Sequence, residues 1–243
     1  KNSKDVEKQV KKEEISWILY DVANSAFVLI VMTILMPIFF KEYAGGQLTG
    51  AESTAWLGYA SSFSALVIAL TSPVLGAIAD YRGNKMRMFL PFFATGIIFT
   101  LLLVTVGPGD WKYCLIVFVV ARTAWSGTLV FYDAFLTDVS DEKNMDMVSS
   151  RGYAWGYIGS VIPFLICIAI ILAAGKTDKN YTSYKISFVI TGIWWLIFTF
   201  PMLKNVRQKF FIPAGASPVK DSFKRVVAGF RNLIEQKGIY LFL

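Results

Sequence analysis

The residues Gly76-Ala-Ile-Ala-Asp80-Tyr-Arg82-Gly83-Asn-Lys85-Met-Arg87 join two long apolar runs of the 243-residue chain. Gly76 has no side chain, so another helix can approach it closely, and Gly83 permits a tight turn. The helix dipole disfavours an anion at a helix C-terminus, so Asp80 needs a partner. Candidates are the three bases that follow it and the positive N-terminus of another helix. The stretch therefore predicts a charged connection between two helices.

Apolar residues dominate the composition and occur in runs long enough to cross a lipid bilayer. Hydrophobic residues make up 55% of the chain and charged residues 17%, a balance that is atypical of soluble globular proteins. A spanning helix needs about 20 mostly apolar residues. Six runs meet this need, at approximately 15–40, 55–79, 88–106, 111–136, 152–174 and 184–203. The predicted fold class is all-α, a polytopic membrane protein with six transmembrane helices in the lipid bilayer.

Polar segments flank the predicted bundle of residues 15–203. Residues 1–14 are charged and are interpreted as a cytoplasmic leader. Residues 204–238 are interpreted as a basic cytoplasmic linker that contains an amphipathic helix suited to a membrane surface. Residues 239–243 are apolar again and are interpreted as the truncated start of a seventh span. The chain is therefore interpreted as a fragment of a longer membrane protein.

Basic residues are distributed unequally around the apolar runs. Of the 24 Lys and Arg residues, 18 fall at the N-terminus, in the 80–87 and 138–151 loops and in residues 204–238. Bases concentrate on the cytoplasmic side of membrane proteins, so these segments and the N-terminus are predicted to be cytoplasmic. For a bacterial chain the membrane would be the cell membrane. Topology also explains the net charge of +7, which therefore does not indicate nucleic-acid binding.

Residue types that serve common catalytic and metal sites are scarce. The chain contains no histidine and no Gly-x-Ser-x-Gly elbow. Cys114 and Cys167 both lie inside apolar runs and are expected to be buried small hydrophobes, not a disulfide or a metal pair. The sequence therefore predicts a protein that is not an enzyme and that has no metal site and no cofactor.

Two stretches resemble known transporters. The spacing Gly-x-x-x-Asp-x-x-Gly-x-Lys resembles the signature loop between the second and third helices of the major facilitator superfamily, although Tyr81 and Asn84 stand where bases are usual. The segment Tyr20-Asp-Val-Ala-Asn-Ser-Ala26 resembles a first-helix motif of the unknown-major-facilitator family, whose fungal relatives are vacuolar amino-acid effluxers linked to autophagy. The resemblance implies the N-terminal half of a twelve-helix fold, built as two inverted three-helix repeats. The partner that it implies is the missing C-terminal six-helix half. The resemblance also implies a gating loop that comprises Gly76, Asp80, Arg82, Gly83, Lys85 and Arg87.

Polar residues inside the predicted spans are the candidates for solute binding or coupling, because ionisable groups are costly at bilayer depth. Asp21, Asn24 and Ser25 have the spacing i, i+3, i+4 and share one helix face. Arg122 and Asp133 are about three turns apart on the fourth helix. The resemblance implies that the first and fourth helices line the central cavity. The open alternatives are an interfacial cap or salt bridge for the acids and a buried structural pair for Arg122.

Small residues mark one face of the predicted fifth helix, at Gly152, Gly156, Gly159 and Ser160. Spacing by four residues is typical of close helix packing. The segment also loosely resembles the fifth-helix glycine motif of antiporters, so plain packing and an antiport signal both stay open.

The resemblance implies a secondary active transporter of a small solute that works by alternating access. Amino-acid export and coupling to protons are its finer expectations. Burial and a nearby base have opposite effects on the proton affinity of a carboxylate, so an acid whose distance from Arg122 changes between states would bind and release protons. Asp21 is the first choice for that acid and Asp133 the second. The alternative is a non-transporting membrane scaffold or receptor with the same fold.

Overall fold

The computed structural model of the protein describes residues 3–175, 178 and 181–213. In this part of the chain, six helices are long and apolar enough to cross a membrane, which agrees with the six predicted runs. The predicted amphipathic helix, which would follow residue 213, and the predicted seventh span lie outside the described residues.

The first helix, α1, is continuous but changes its hydrogen-bonding pattern along its length. It is α-helical over Ser3–Ala26 and Met36–Phe39 and π-helical over Phe27–Leu35 and Phe40–Ala44. Pro37 lies in the short α-helical segment and lacks a backbone N–H group, which interrupts the regular ladder. The π-helical segments are a feature that the hydrophobic pattern does not reveal.

The other long helices are α2 Gly50–Ala79, α3 Asn84–Leu102, α4 Trp111–Val139, α5 Met145–Ala174 and α6 Thr182–Asn205. Most of them extend beyond the apolar runs. For example, α5 begins at Met145 although its apolar run begins at Gly152, so the predicted 138–151 loop is largely helical. A helix satisfies its own backbone groups in water and in lipid alike, so polar residues can continue it past the apolar region.

Local sequence explains where several helices begin. Thr49 and Glu52 form a capping box at the start of α2, in which each side chain bonds the backbone N–H group of the other residue. Gly83 adopts a φ of 76°, the left-handed conformation that glycine accepts without strain. This residue turns the chain from α2 into α3, as the quoted stretch predicts.

Asp178 fastens the beginning of α6. Its carboxylate accepts hydrogen bonds from the backbone N–H groups of Thr182 at 2.7 Å and Ser183 at 2.8 Å, and from the Ser183 hydroxyl. Burial acts to raise the pKa of Asp178, but these hydrogen bonds outweigh it and hold the pKa below its ordinary value. The carboxylate lies at the N-terminus of the helix, where the helix dipole also stabilises its charged form.

The helices form two groups of three, α1–α3 and α4–α6, which pack against each other reciprocally. Helix α1 packs most extensively against α5 and α6, whereas α4 packs against α2 and α3. The first helix of each group therefore contacts the last two helices of the other group. Two inverted three-helix repeats produce this reciprocal arrangement, and it places α1 and α4 in equivalent positions.

Aromatic side chains fill the centre of the bundle. The ring of the fully buried Trp195 lies 5.4 Å from that of Phe27 and 5.7 Å from that of Phe93. Cys114 and Cys167 are both free and buried, as expected of small hydrophobes. The tryptophan in the middle of α6 thus packs three helices together.

The outer surface of the bundle is apolar. Large side chains that are exposed include Leu66, Leu70, Ile162, Leu172 and Phe200. Such a surface is unfavourable in water but matches the hydrocarbon of a bilayer. With six helices of sufficient length, it supports an integral, multi-pass membrane protein.

Candidate functional site

A partly open cavity of about 630 Å³ lies between α1, α4 and α5. This volume is within the range of small-molecule sites. Its lining consists of Trp17, Asp21, Asn24, Ser25, Val28, Leu29, Thr33, Trp125, Leu129, Tyr132, Asp133, Leu136, Ser149, Tyr153, Tyr157, Ser160 and Val161. Two acids and no Lys or Arg are present in this set. Within the described ranges, no group of three or more His, Cys, Asp or Glu residues could hold a metal ion.

The polar face of α1 lines the cavity. Asp21 and Asn24 are buried, with 8% and 4% of their surface exposed. The Asn24 amide donates hydrogen bonds of 3.1 Å to the Asp21 carboxylate and to the backbone carbonyl of Tyr20. Ser25 also lines the cavity. No ion pair to Asp21 is present among the described residues, so a buried acid faces the cavity without a base.

Helix α4 contributes the second acid of the cavity. Asp133 lines the wall and is exposed. Arg122 is half-buried on the same helix, but it is not among the lining residues, and the described part of the chain contains no ion pair to it. The structure thus brings Asp21 and Asp133 to one cavity and leaves Arg122 apart from them.

The small residues of α5 allow α1 to approach the cavity wall. A Cβ atom on Gly152 would lie 3.2 Å from the Asp21 carboxylate, and one on Gly156 would lie 2.8 Å from the Ser25 hydroxyl oxygen. At Gly159 an added Cβ would collide with α1. The fourth small residue of the row, Ser160, is buried and donates a hydrogen bond of 2.9 Å to a backbone carbonyl of its own helix. These contacts support the packing interpretation of the row.

The cavity lining includes five aromatic side chains that the sequence patterns do not single out. They are Trp17, Trp125, Tyr132, Tyr153 and Tyr157. The rings of Trp17 and Tyr132 stack at 4.3 Å, and the Trp17 indole N–H donates to the Tyr132 carbonyl at 2.9 Å. Helical spacing contains a signal for some of them. Trp17 is four residues from Asp21, and Tyr153 and Tyr157 are four residues apart beside the small residues of α5.

Lys85 and Asp138 form a buried ion pair at one end of the bundle. The Lys85 ammonium donates to the Asp138 carboxylate at 2.7 Å, and both side chains are almost completely buried. The other Asp138 oxygen accepts the backbone N–H groups of Lys209 at 2.7 Å and Phe210 at 2.9 Å. The sequence offers Lys85 as a partner of Asp80 and places Asp138 in a polar loop. The structure instead pairs Lys85 with Asp138.

Residues 206–213 cross this same end of the bundle, and we call them the strap. The Ile212 backbone N–H donates to the Asp80 carbonyl at 2.8 Å. The Lys209 ammonium pairs with the Glu13 carboxylate at 2.6 Å. The strap therefore connects α1, α2 and α4 at the end of the bundle where Arg82, Lys85 and Lys209 lie, and we call this the base-rich end.

The remaining residues of the predicted gating loop lie at the surface of the base-rich end. Asp80 is exposed, and among the described residues no base forms an ion pair with its carboxylate. The space beside Gly76 is open. Arg82 lies over the Phe211 ring at 5.2 Å, and Arg87 is exposed. Asp80 and Gly76 are thus accessible to a further helix.

Comparison with known proteins identifies relatives along almost the whole chain. The family model described as "Vacuole effluxer Atg22 like" matches residues 9–243. The "Uncharacterized MFS-type transporter YxiO" of Bacillus subtilis (strain 168) is 41% identical over 240 residues, which are 97% of this chain and 56% of the relative. "Autophagy-related protein 22-1" of Phaeosphaeria nodorum is 21% identical, over 86% of this chain and 50% of the relative. No solved structure matches.

The chain spans about half the length of these curated relatives. The match to the family extends over all six long helices and therefore includes the cavity between α1, α4 and α5. The all-α fold, its apolar exterior and its reciprocal packing agree with this relationship. The chain belongs to the Atg22-like vacuole effluxer family of MFS-type transporters.

Proposed function

We propose that the protein to which this chain belongs is a secondary active transporter that moves a small solute by alternating access. Amino-acid export is the proposed activity, because the matching family is described as vacuole effluxers and the first-helix motif resembles that of vacuolar amino-acid effluxers. In this proposal the base-rich end faces the cytoplasm, since bases concentrate on that side of a membrane.

The cavity between α1, α4 and α5 is the observation that carries this proposal. It has the size of a small-molecule site, and α1 and α4 each present an acid to it. Placing an ionised group at bilayer depth costs about 2.5–3.5 kcal/mol on insertion scales. A pure scaffold has no need for two such acids in a cavity, whereas a transporter uses them to bind or couple its solute. A receptor could bind a ligand there as well, and the transport assay below separates the two.

Proton coupling is assigned to Asp21. The groups beside its carboxylate are the Asn24 amide, which donates to it, and Gly152 and Gly156 of α5. Tyr132, Asp133 and Tyr153 line the same cavity. None of these groups is a base that could neutralise the carboxylate. A buried carboxylate without a base favours its neutral form, and water that enters an open cavity favours its charged form. Arg122 lies outside the cavity here, so its role as a counter-charge requires a second state in which it moves closer.

The gating role is assigned to Asp80. Its exposed carboxylate and the open space beside Gly76 support a contact with a helix of the second half when the base-rich side is closed. The strap and the Lys85–Asp138 pair hold the loop against the six-helix bundle. The loop would therefore move together with the bundle when the contact of Asp80 with the second half forms or breaks.

Transport by the full-length protein in sealed proteoliposomes tests the coupling. A panel of radiolabelled amino acids is tested one by one, and we expect an imposed pH gradient to drive uptake of at least one of them. Asp21→Asn should abolish this accumulation, because the amide cannot carry the proton, yet retain most of the exchange rate at equal pH and saturating solute. Asp141→Asn, an exposed acid outside the cavity, is the matched control. Absence of gradient-driven uptake in the wild type contradicts the coupling, and absence of any amino-acid movement contradicts the proposed transport activity.

The same assay tests the gate. Asp80→Asn should slow both uptake and exchange severalfold, because the closed state loses a charged contact, while the amount of protein inserted in the membrane stays unchanged. Asp141→Asn again serves as the control. Rates equal to those of the wild type would remove Asp80 from the gate.

A further inference from the structure

We propose that the cavity binds the ammonium group of a protonated organic amine, held by the Asp21 carboxylate, the Tyr132 hydroxyl and the aromatic rings beside them. This inference rests on the transport function proposed above and adds the chemical class of the solute.

The charge of the lining is the first argument. Asp21 and Asp133 are its ionisable acids, and neither Lys nor Arg is present among the residues that line the cavity. Asp21 is nine-tenths buried, and its hydrogen-bond partner among the described residues is a neutral amide. A buried carboxylate is stabilised by a cation that supplies both charge and hydrogen bonds. A solute that brings an ammonium group supplies both, whereas an anionic solute would be repelled.

The aromatic side chains are the second argument. Tyr153 and Tyr157 line the cavity, and the rest of the chain leaves 63% and 74% of their surface uncovered. Cations are attracted to the faces of Tyr and Trp rings, and aromatic groups of this kind recognise ammonium ligands. The apolar part of the amine would meet Val28, Leu29, Leu129 and Val161.

An unpartnered hydroxyl is the third argument. Tyr132 lines the cavity and is 4% exposed, and its hydroxyl has no hydrogen-bond partner among the described residues. A buried polar group without a partner is costly, and such groups are rare in folded proteins. The hydroxyl oxygen can accept a hydrogen bond from an ammonium N–H group. An amine seated between Asp21 and Tyr132 would therefore satisfy both residues.

Binding of three matched probes to the full-length protein in detergent tests the proposal. The probes are phenethylamine, 2-phenylethanol and 3-phenylpropanoate, which have a similar shape but a positive, neutral or negative end group. Titration calorimetry at about pH 7, where the amine is protonated, should show binding of the amine at least about tenfold tighter than that of the alcohol or the acid.

Three variants assign the preference to named groups. Asp21→Asn should weaken amine binding by about tenfold or more, and Tyr132→Phe should weaken it severalfold, because it removes the hydroxyl and keeps the ring. Asp141→Asn should bind the amine like the wild type. Tyr132→Phe keeps the test decisive if Asp21→Asn does not fold.

Equal binding of the three probes would overturn the proposal. So would an amine preference that survives both Asp21→Asn and Tyr132→Phe. This measurement needs no membrane, so its failure is distinct from failure of the transport function. Intact gradient-driven uptake without an amine preference would overturn the amine site and leave the proposed transport activity supported. An amine site in a protein that moves no solute would overturn the transport activity alone.

Discussion

Asp138 and Asp21 are two buried acids of the same bundle, and they differ in the partners that surround the carboxylate. Asp138 pairs with Lys85 and accepts two backbone N–H groups of the strap. Asp21 receives a hydrogen bond from an amide, has no base as a partner among the described residues and faces a cavity. Both carboxylates are costly to remove from water. The protein compensates this cost inside the fold at one site and does not at the other.

This difference separates a structural site from a functional one. A buried charge whose partners are all supplied by the fold holds helices together and gains nothing from a ligand. A buried charge that faces a cavity without a base is stabilised when a proton or a cationic solute arrives. A buried acid that faces a cleft without a base beside it is therefore a candidate for function. The same reasoning assigns Asp138 a structural role at the base-rich end.

Neutralising Asp138 should have the largest effect on stability. Asp138→Asn leaves the Lys85 ammonium buried without a counter-charge, which costs about 3–5 kcal/mol. The full-length protein in detergent should therefore show a clearly lower melting temperature. Adding Lys85→Met should recover part of the loss, because the double variant no longer contains the unpaired charge.

Asp21→Asn is the matched control for this comparison. The asparagine keeps a carbonyl oxygen for the Asn24 amide and removes a charge that has no base beside it, so the melting temperature should not fall. If Asp21→Asn destabilised the protein as much as Asp138→Asn, the distinction between the two acids would be wrong.

Overpacking the contact between α1 and α5 should have a smaller effect. An added Cβ at Gly159 would collide with Val22, a β-branched side chain that has one strongly preferred rotamer in a helix. Gly159→Ala should therefore cost about 1–3 kcal/mol and weaken solute binding, because α1 carries Asp21. Thermal melting and titration of phenethylamine measure both effects.

Gly58→Ala is the control for this helix contact. An added Cβ at Gly58 meets nothing within 4 Å in the structure, and alanine is favoured over glycine in a helix by up to about 1 kcal/mol. Its melting temperature should be unchanged or higher. Equal losses at Gly58 and Gly159 would show that the close approach of α5 to α1 does not hold the cavity wall.

Local patterns predict which polar residues share a helix face, but not which residues line the cavity. The spacing of Asp21, Asn24 and Ser25 places them on one face because a helix has a fixed period, and the structure places that face in the cavity. Arg122 and Asp133 are almost on the same face of α4, yet the cavity includes Asp133 and not Arg122. A helix face extends along the whole bundle, whereas a cavity occupies a limited depth that depends on the neighbouring helices.

The sequence by itself determined six spanning helices, the turn at Gly83, the small-residue face of α5 and the acids inside the apolar runs. These features follow from composition and helical periodicity, which are local properties of the chain. The tertiary structure decided which charged residues form ion pairs with each other. Lys85 lies five residues from Asp80 in the sequence, but it pairs with Asp138, 53 residues away. An ion pair forms between charges that the packing of α3, α4 and the strap brings together, and no local pattern encodes that distance.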